Sequence, residues 1–585
     1  MELVARLRHL RARLKTDGPR VVAHQVRVKL TRSLLPGVMG EERARRAAEE
    51  EAYQGWIRRQ LPSPEEAARQ AGASFTHRLT FLIPTYNTRP ELLAALVDSL
   101  LAQTCPLWEA CFYDGASPRE DTRRELMRQA ARDERIRVAL GDENLNISGN
   151  TNRALAMART DYVALCDHDD LLTPDAVYHV LAAAETGADM IYSDEDKCNE
   201  DGTRFFDPHL KADFAPDALR AGNYICHLMA LRTELMRSLG GLRSAYDGSQ
   251  DHDLALRASE KAERIVHIPR ILYHWRMLNT SFSHQGAERC ARAATAAVED
   301  QLRRLQLPAT VRMEELRPRI TWQTPDEPCV SLVLHGAGKV GAGELRRLLR
   351  GTRHVQEVLL LGTEHAPRCG VDVRALPWQG SLSEGLNHAA AQAKGRYVLF
   401  AARGLRPCRG GDWLREMLMH AARPDVGCVG GPICHGRALQ YLHAGYAVDV
   451  PGGALSHHAG QSYYGHPYMI TDRLVRNVTG VSAALLLMRR DRFLEAGGFG
   501  GYASDLRGAD LGLSAQGKGW LNVYVPYARM RFEGAQPPCL TGPAPAEDIS
   551  LLHSRHGEHP RERYYSPLFE KLRGSMTPDM EDTQA

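Results

Sequence analysis

The chain carries one sequence pattern twice, so it must adopt a fold that can be built two times in tandem. The first block of matches lies at one constant offset and pairs Asn152, Ala154, Ala156, Ala158, Tyr162 and Val163 with Asn387, Ala389, Ala391, Ala393, Tyr397 and Val398. The second block pairs Arg232, Gly240, Gly241, Asp253, Leu254 and Leu256 with Arg489, Gly497, Gly498, Asp510, Leu511 and Leu513. Such self-similarity in a chain of 585 residues predicts at least two domains of related architecture.

Short apolar runs alternate with helical stretches from His77 onward, which is typical of an α/β fold. The predicted strands are Leu79–Ile83, Ala110–Tyr113, Ile136–Leu140, Tyr162–Cys166 and Met190–Tyr192. The predicted helices between them include Glu91–Gln103 and Asp121–Arg132. Because such sheets bind ligands at the carboxyl ends of their strands, we expect the functional residues directly after these runs.

The repeat and the composition divide the chain into four parts. They are a helical, basic amino-terminal extension (1–77), a first α/β domain (78–320), a second α/β domain (326–540) and a polar carboxyl-terminal tail (541–585). Residues 1–35 predict a basic amphipathic helix with two open interpretations. It either lies in the plane of an anionic membrane surface or packs against the protein itself.

Bulk composition names no partner but excludes several classes of protein. A net charge of +3 and 43% hydrophobic residues describe an ordinary globular chain and argue against nucleic-acid binding. The sequence shows neither the apolar core of a signal peptide nor the roughly 20 apolar residues of a membrane span. We therefore expect a cytoplasmic protein, with peripheral contact to the inner face of the membrane through residues 1–35 as an open alternative.

The motif Asp167-His168-Asp169-Asp170 carries the strongest chemical signal, because it directly follows an apolar strand. Adjacent carboxylates repel one another unless a cation neutralises them, and Asp-x-Asp spacing suits oxygen ligation of Mg²⁺ or Mn²⁺. The competing interpretation is the acidic start of a helix entering near Pro174.

Further polar clusters follow other apolar runs of the first domain. The cluster Asp194-Glu195-Asp196 follows one run, and Asp251 lies at the start of a predicted helix. His274 and Arg276 come after another run and suggest a metal ligand and a diphosphate clamp. Each cluster alone could be a helix cap or a structural corner, but together they predict one shared site.

The second domain lacks the acidic residues at the matching positions. Ala402, Arg403 and Gly404 stand where the first copy has Asp167, His168 and Asp169, and Gly508 stands in place of Asp251. None of these replacements can bind a hard cation or accept a proton. We predict that the second copy keeps the fold without the chemistry, and that it serves acceptor positioning or dimer contact.

In this order the motifs resemble those of the family-two inverting glycosyltransferases, especially rhamnosyltransferase-like enzymes of O-antigen and surface-glycan biosynthesis. The motifs that carry the resemblance are Pro84-Thr85-Tyr86-Asn87, Asp114, Asn152, Asp167-His168-Asp169-Asp170, Ser193-Asp194-Glu195-Asp196-Lys197, Gln250-Asp251-His252-Asp253-Leu254 and Tyr273-His274-Trp275-Arg276. The resemblance implies a GT-A-type mixed sheet in the first domain and a degenerate GT-A-like second domain.

The resemblance also implies a role for each site residue. The nucleotide-sugar side would comprise Pro84, Thr85, Tyr86, Asp114, Asn152, Asp167 and Arg276. Asp167, Asp169 and His274 would hold Mn²⁺ or Mg²⁺, and Asp251 would be the catalytic base. Asp194, Glu195 and Asp196 would lie on the acceptor side.

These roles imply transfer of a hexosyl or rhamnosyl group from a UDP- or dTDP-linked sugar to a glycan, lipid-linked or protein acceptor. Two departures concern the donor: Gly115 replaces a second aspartate common in the family, and Asn146 replaces a common glycine. Membrane spans and a Gln-x-x-Arg-Trp motif are absent from the sequence, which favours one sugar per binding event over processive synthesis. The alternatives are a non-catalytic scaffold that binds nucleotide sugars or glycans, a nucleotidyltransferase, and a dinucleotide dehydrogenase, which the missing G-x-G-x-x-G disfavours.

Overall fold

The computed structural model describes residues 36–278, 286–324, 329–336, 338–408, 412–436, 439–465, 468–533 and 544–580. The amphipathic helix predicted for residues 1–35 lies outside the described residues, so its membrane role stays a prediction. The contacts divide the chain into two compact units, one ending at Arg59 and the other beginning at Gln60. The helix Pro36–Gln60 ends at this boundary. Within the described part, no helix combines the length and hydrophobicity needed to cross a membrane.

The first sheet of the larger unit begins the α/β pattern predicted from His77. Its strands are β1 (Leu79–Thr85), β2 (Trp108–Asp114), β3 (Ile136–Leu140), β4 (Tyr162–Leu165), β5 (Leu171–Leu172), β6 (Met190–Cys198), β7 (Phe205–His209), β8 (Met229–Arg232) and β9 (Ile265–Arg276). Their order is β3-β2-β1-β4-β8-β6-β9-β5, and β7 pairs with β6. The helices of this region are Pro64–Ala71, Pro90–Leu101, Glu120–Ala130, Asn146–Met157, Ala176–Ala184, Pro216–Ala221, Thr233–Ser238, Gln250–Ser259 and Ala287–Arg304, with a 3₁₀ turn at Ser244–Tyr246.

Parallel pairing gathers the functional loops at one edge of this sheet. β1 runs parallel to both β2 and β4, so the carboxyl ends of these three strands meet. β1 is nearly all buried, because helices cover both of its faces and its apolar residues fill two cores. One core includes Phe81 with Leu93, and the other includes Leu82 with Ala154.

A hairpin and a second sheet follow. The strands are β10 (Ala309–Glu314), β11 (Arg317–Trp322), β12 (Val330–His335), β13 (Val355–Leu361), β14 (Asp372–Leu376), β15 (Tyr397–Ala402), β16 (Leu405–Pro407), β17 (Val426–Gly430), β18 (Ile433–His435), β19 (Gln440–His443), β20 (Tyr446–Val448), β21 (Ala454–Ser456), β22 (Arg476–Asn477), β23 (Leu485–Arg489), β24 (Leu521–Tyr524) and β25 (Met530–Phe532). The helices are Ala342–Leu348, Leu382–Gln392, Trp413–Ala421, Arg490–Glu495, Leu506–Gly517 and Ala546–His556, with a 3₁₀ segment at Tyr468–Arg473. The main sheet has the order β14-β13-β12-β15-β23-β17-β24-β22.

The two sheets confirm the internal repeat. The order β3-β2-β1-β4-β8-β6-β9 of the first sheet corresponds to β14-β13-β12-β15-β23-β17-β24 of the second, strand for strand. The strand directions also agree. The β4–β8 and β15–β23 pairs are both antiparallel, and the β6–β9 and β17–β24 pairs are both parallel. We call residues 78–320 the first repeat and residues 326–540 the second repeat; these exact bounds stay a prediction.

An asparagine clamp recurs in both repeats. Asn152 donates to the carbonyl of Leu242 and accepts from its amide, both at 2.8 Å. Asn387 makes the same two bonds with Phe499, at 2.9 Å each. Gly241 precedes Leu242 with a positive φ of 69°, and a side chain there would overlap the Asn152 amide. The repeated Asn and Gly-Gly positions therefore tie one helix of each repeat to the turn that follows the helix Thr233–Ser238 or Arg490–Glu495.

The structure differs from the sequence predictions in two places. β6 does not end at Tyr192 but continues to Cys198, so the acidic cluster lies within the strand. The predicted polar tail is not peripheral over residues 544–580, because Leu552, Tyr565 and Phe569 are buried. The helix Pro64–Ala71 begins with a capping box formed by Ser63 and Glu66.

The asparagine clamp generates a first prediction. We expect Asn152→Asp to lower the free energy of unfolding by about 1–3 kcal/mol, because a carboxylate oxygen would face the Leu242 carbonyl and leave it without a donor. Asn387→Asp is the matched variant and should cost a similar amount. Urea unfolding followed by tryptophan fluorescence measures both. Unchanged stability of Asn152→Asp together with lost nucleotide-sugar affinity would contradict this view.

Candidate active site

The acidic turn after β4 is held in place by side chains of β9. Tyr273 Oη accepts a hydrogen bond from the Asp167 amide at 3.1 Å and donates one to Asp170 Oδ2 at 2.6 Å. The Arg276 amide donates to Asp170 Oδ1 at 2.7 Å. Asp170 is thus a buried anchor of the turn, while Asp167 and Asp169 remain partly exposed. The two residues of the Asp-x-Asp pair are the ones left to meet a ligand.

The electrostatics of Asp167 connect this turn to Asp251. Desolvation by the surrounding protein raises the pKa of Asp167, and the negative charges of Asp169 and Asp251 add to this rise. The His227 imidazole opposes it, with Nε2 3.7 Å from Asp167 Oδ2. The charges of Asp169 and Asp251 therefore both act on Asp167, and one shared site stays a prediction.

Asp251 lies in the first turn of the helix Gln250–Ser259. The positive end of the helix dipole favours a carboxylate there. Asn223 donates from Nδ2 to Asp251 Oδ2 at 2.8 Å, which fixes the orientation of the carboxylate. The other oxygen of Asp251 can therefore face a substrate.

The donor set fits a divalent cation bound together with a diphosphate. In the described part of the chain, no group of three or more His, Cys, Asp or Glu side chains is arranged to hold a metal ion. Mg²⁺, however, is commonly bound through only one or two carboxylates plus the phosphate oxygens of a substrate. Desolvation raises the pKa of Asp167, so the protein disfavours its charged form, and a bound cation would offset that cost. Asp167 and Asp169 thus fit a cation that arrives with its substrate.

The carboxylates of β6 face protein partners, which changes their predicted acceptor-side role. Asp194 Oδ1 is 2.8 Å from His267 Nε2. Asp196 Oδ1 is 2.5 Å from His274 Nδ1. Both aspartates are fully buried, so neither can meet an acceptor as the structure stands.

Glu195 is part of a buried charge network behind the site. Its Oε2 accepts from the His227 amide at 2.8 Å and lies 3.5 Å from Lys211 Nζ, and its Oε1 is 3.2 Å from His209. Burial pushes the pKa of Glu195 upward, but the charges of Lys211, His209 and His227 outweigh it and hold the pKa at about 2. Glu195 therefore fixes His227 beside Asp167.

The structure gives His274 and Arg276 other partners than predicted. His274 is bonded to Asp196, and its ring packs 4.2 Å from that of Phe205, so it lies within the sheet and not at a metal. Arg276 is 2% exposed and donates to the backbone carbonyls of Asp169 and Glu200 at 2.6 and 2.5 Å. Its guanidinium holds the acidic turn and cannot clamp a diphosphate in this position.

The predicted nucleotide side is built from the loops after β1 and β2. Thr85 and Asp114 are the last residues of β1 and β2, and both are buried. Tyr86 is 44% exposed, and Pro84 is half-buried. Asp114 accepts from the amide and the hydroxyl of Ser117 at 2.9 and 2.5 Å. Asp114 thus shapes its own loop, which leaves the exposed ring of Tyr86 as a surface that a base could contact.

Gly115 is explained by its neighbour Asn150. A side chain at position 115 would overlap the Asn150 amide, which donates to Asn144 Oδ1 at 3.0 Å. The second aspartate common in the family therefore has no room here.

Asn152 uses both the oxygen and the nitrogen of its side-chain amide to bond the backbone of Leu242, so it is not a nucleotide contact in this structure.

Sequence reasoning missed residues that organise the site. Tyr273 belongs to a quoted motif but received no role, although a buried hydroxyl needs a partner. His227, Lys211 and Asn223 belong to no motif. Only the fold brings them to the acidic turn, so the sequence held no signal for them.

The matching site in the second repeat is closed. A side chain at Gly508 would overlap the backbone carbonyl of Val481, so an aspartate at the position of Asp251 does not fit. Arg403 pairs with Glu344 at 3.1 Å and crosses the loop after β12. The second repeat therefore has no room for a carboxylate at the position of Asp251, and its loss of chemistry stays a prediction.

The low pKa of Glu195 yields a pH prediction. The pKa in the folded state is about 2, below the ordinary 4.5, so this stabilisation is present above pH 4.5 and is lost as the pH falls. Between pH 5.5 and 3 we expect a loss of about 2 kcal/mol in the free energy of unfolding. Glu195→Gln should lack this part of the acid dependence. Equal acid dependence of the two proteins would contradict the network.

Sequence comparison places the site among known families. Residues 80–239 match the family description Glycosyl transferase family 2. The uncharacterized protein y4gI of Sinorhizobium fredii is 31% identical over 487 residues, which cover 77% of this chain and 52% of that protein. The O-antigen biosynthesis protein RfbC of Myxococcus xanthus is 29% identical over 482 residues, covering 76% and 36%. The chain thus spans about half or less of the length of these relatives.

Solved structures of other proteins resemble this chain only weakly. S. aureus TarS 1–349 in complex with UDP-GlcNAc is 16% identical with a TM-score of 0.32, covering 38% of this chain and 66% of that chain. A mannosyltransferase from Pyrobaculum calidifontis in complex with GDP-Man and Mn²⁺ is 18% identical with a TM-score of 0.31, covering 44% and 74%. Neither value supports an argument about this chain. The match to glycosyl transferase family 2 thus covers most of the first repeat, whose mixed sheet carries the candidate site.

Proposed function

We propose that the chain is an inverting, metal-assisted glycosyltransferase whose site lies at the carboxyl ends of β1, β2 and β4. The observation that carries this proposal is that the charges of Asp169 and Asp251 both act on Asp167. Inversion requires an acceptor hydroxyl to attack the anomeric carbon opposite the departing nucleoside diphosphate. Carboxylates with two different surroundings suit the two ends of that reaction.

Asp167 and Asp169 would hold Mn²⁺ or Mg²⁺ together with the donor diphosphate. The bound cation would supply charge neutralisation for the leaving diphosphate. Tyr273 and Arg276 keep the acidic turn rigid through Asp170 and the Asp169 carbonyl. A rigid turn needs little rearrangement when charge develops, which is how preorganised sites lower barriers.

Asp251 would accept the proton of the attacking hydroxyl. Asn223 occupies one carboxylate oxygen and leaves the other available. Tyr86, which is exposed at the end of β1, would contact the nucleotide base.

The relatives support a role in polysaccharide biosynthesis. One carries the name O-antigen biosynthesis protein, and another, of Escherichia coli, is a chondroitin synthase that is 27% identical over 34% of this chain. We propose a UDP- or dTDP-linked hexose or rhamnose as donor and a glycan, free or attached to lipid or protein, as acceptor. A location in the cytoplasm, peripheral membrane contact through residues 1–35 and a homodimer remain parts of the proposal. A scaffold without activity is less favoured, because Asp167 and Asp169 remain partly exposed in the first repeat, whereas Ala402 and Gly404 stand at the matching positions of the second.

The base assignment predicts the behaviour of Asp251→Asn. This variant should lower kcat by about 10²–10⁴-fold, because the attacking hydroxyl loses its proton acceptor. Its affinity for the nucleotide sugar should stay near that of the wild type. Asp98→Asn, which alters an exposed carboxylate paired with Arg132, is the control and should not change kcat. Wild-type turnover in Asp251→Asn would remove this residue from the mechanism.

The metal assignment predicts a different defect in Asp169→Ala. In the presence of Mn²⁺, the variant should bind the donor more weakly than the wild type in calorimetry, while binding without metal should change little.

The donor itself is found by measuring nucleoside diphosphate release from UDP-, dTDP- and GDP-sugars with and without Mn²⁺. Metal-dependent release from none of them by the wild-type chain would contradict the proposed function.

A further inference from the structure

The segment from Pro208 to Asn223 supports the site although it belongs to no motif. Lys211, which is 2% exposed, donates from Nζ to the carbonyls of Ser193, Ile225 and His227 at 2.5–2.6 Å. Asn223 at the other end donates to Asp251. The segment therefore sets the position of His227 and of the proposed base at the same time.

The second repeat hydrogen-bonds to this segment next to Lys211. Tyr468 Oη donates to the carbonyl of Pro208 at 2.7 Å and accepts from the amide of Leu210 at 2.5 Å. Burial raises the pKa of Tyr468 well above its ordinary value, so the hydroxyl stays protonated and able to donate. One side chain of the second repeat thus holds two backbone groups beside Lys211.

A second set of contacts from the second repeat holds Asp217, a few residues before Asn223. Arg423 donates from Nη1 to Asp217 Oδ1 at 2.5 Å, and Asn477 Nδ2 donates to Asp217 Oδ2 at 2.9 Å. The Asp217 amide donates in return to Asn477 Oδ1 at 3.0 Å. All three side chains are at least 95% buried. Burial pushes the pKa of Asp217 upward, but the charges of Arg423 and Arg220 outweigh it and hold the pKa at about 2.

The charged cluster is specific because a buried charge is costly without its partner. The carbonyl of Arg563, beyond the second repeat, also accepts from the Asp213 amide at 2.7 Å, between these two sets of contacts. The segment is therefore held at Leu210, Asp213 and Asp217 from outside the first repeat. From the same segment, Lys211 contacts the carbonyl of His227 and Asn223 contacts Asp251.

We infer that the second repeat is a positioning scaffold for the active site, acting through the segment Pro208–Asn223 on His227 and Asp251. This inference rests on the proposed function of the first repeat. It explains why a copy with a closed site is retained, because its strands and loops carry Arg423, Asn477 and Tyr468. Acceptor positioning and dimer contact are not needed for this role.

Two tyrosine variants provide the test. Tyr468→Phe removes the hydroxyl that holds the segment, and Tyr441→Phe removes a buried hydroxyl that donates to Asp472 within the second repeat at 2.6 Å. Each change deletes one oxygen atom and keeps the ring. We expect Tyr468→Phe to lower kcat about tenfold at unchanged donor KM, because misplaced catalytic groups lose rate more than binding. Tyr441→Phe should keep the wild-type kcat at a similar loss of thermal stability.

Hydrogen exchange separates this inference from the proposed function. Peptides covering 208–227 should exchange faster in Tyr468→Phe than in the wild type or in Tyr441→Phe. Equal exchange and equal kcat in the two variants would overturn the scaffold role. If the wild-type chain releases no nucleoside diphosphate from any donor, the proposed function fails, and the exchange measurement alone then decides whether the second repeat holds the segment.

Discussion

The bond between the Tyr273 hydroxyl and the buried Asp170 carboxylate is the constraint on which the site depends. Three aspartates within four residues repel one another, and a turn that bears them would open without an internal anchor. Asp170 is buried and accepts hydrogen bonds from the Tyr273 hydroxyl and the Arg276 amide. The remaining two carboxylates are thereby directed outward, which is the arrangement a diphosphate-bound cation requires.

The two repeats show how one fold can keep or lose a reaction through few positions. The sheet order and the asparagine clamps persist in both repeats, because the backbone of each depends on them. The carboxylates do not persist, since nothing in the fold requires them. At Gly508 the helix lies against the backbone carbonyl of Val481, so restoring an aspartate alone would not restore a site. What the second repeat retains is its contact surface toward the first.

The sequence predicted the architecture well and the local partners poorly. The strand Ile136–Leu140, the order of strands and helices, and the repeat follow from apolar periodicity, which reports burial directly. His274 and Arg276 were predicted to face ligands because their residue types suit a metal and a phosphate. The pairing of β6 with β9 instead places Asp196 beside His274, and no motif encodes that register. The contact of Tyr468 with Pro208 spans 260 positions and is equally invisible in the sequence.

The central claim is that Asp167 and Asp169 bind a cation while Asp251 faces the same cleft. Anomalous scattering from a crystal grown with Mn²⁺ and a nucleoside diphosphate tests it most directly. The account predicts one manganese peak about 2.0–2.3 Å from carboxylate oxygens of Asp167 or Asp169, with phosphate oxygens completing the coordination. A peak elsewhere, or a nucleotide bound away from the carboxyl ends of β1 and β4, would contradict it.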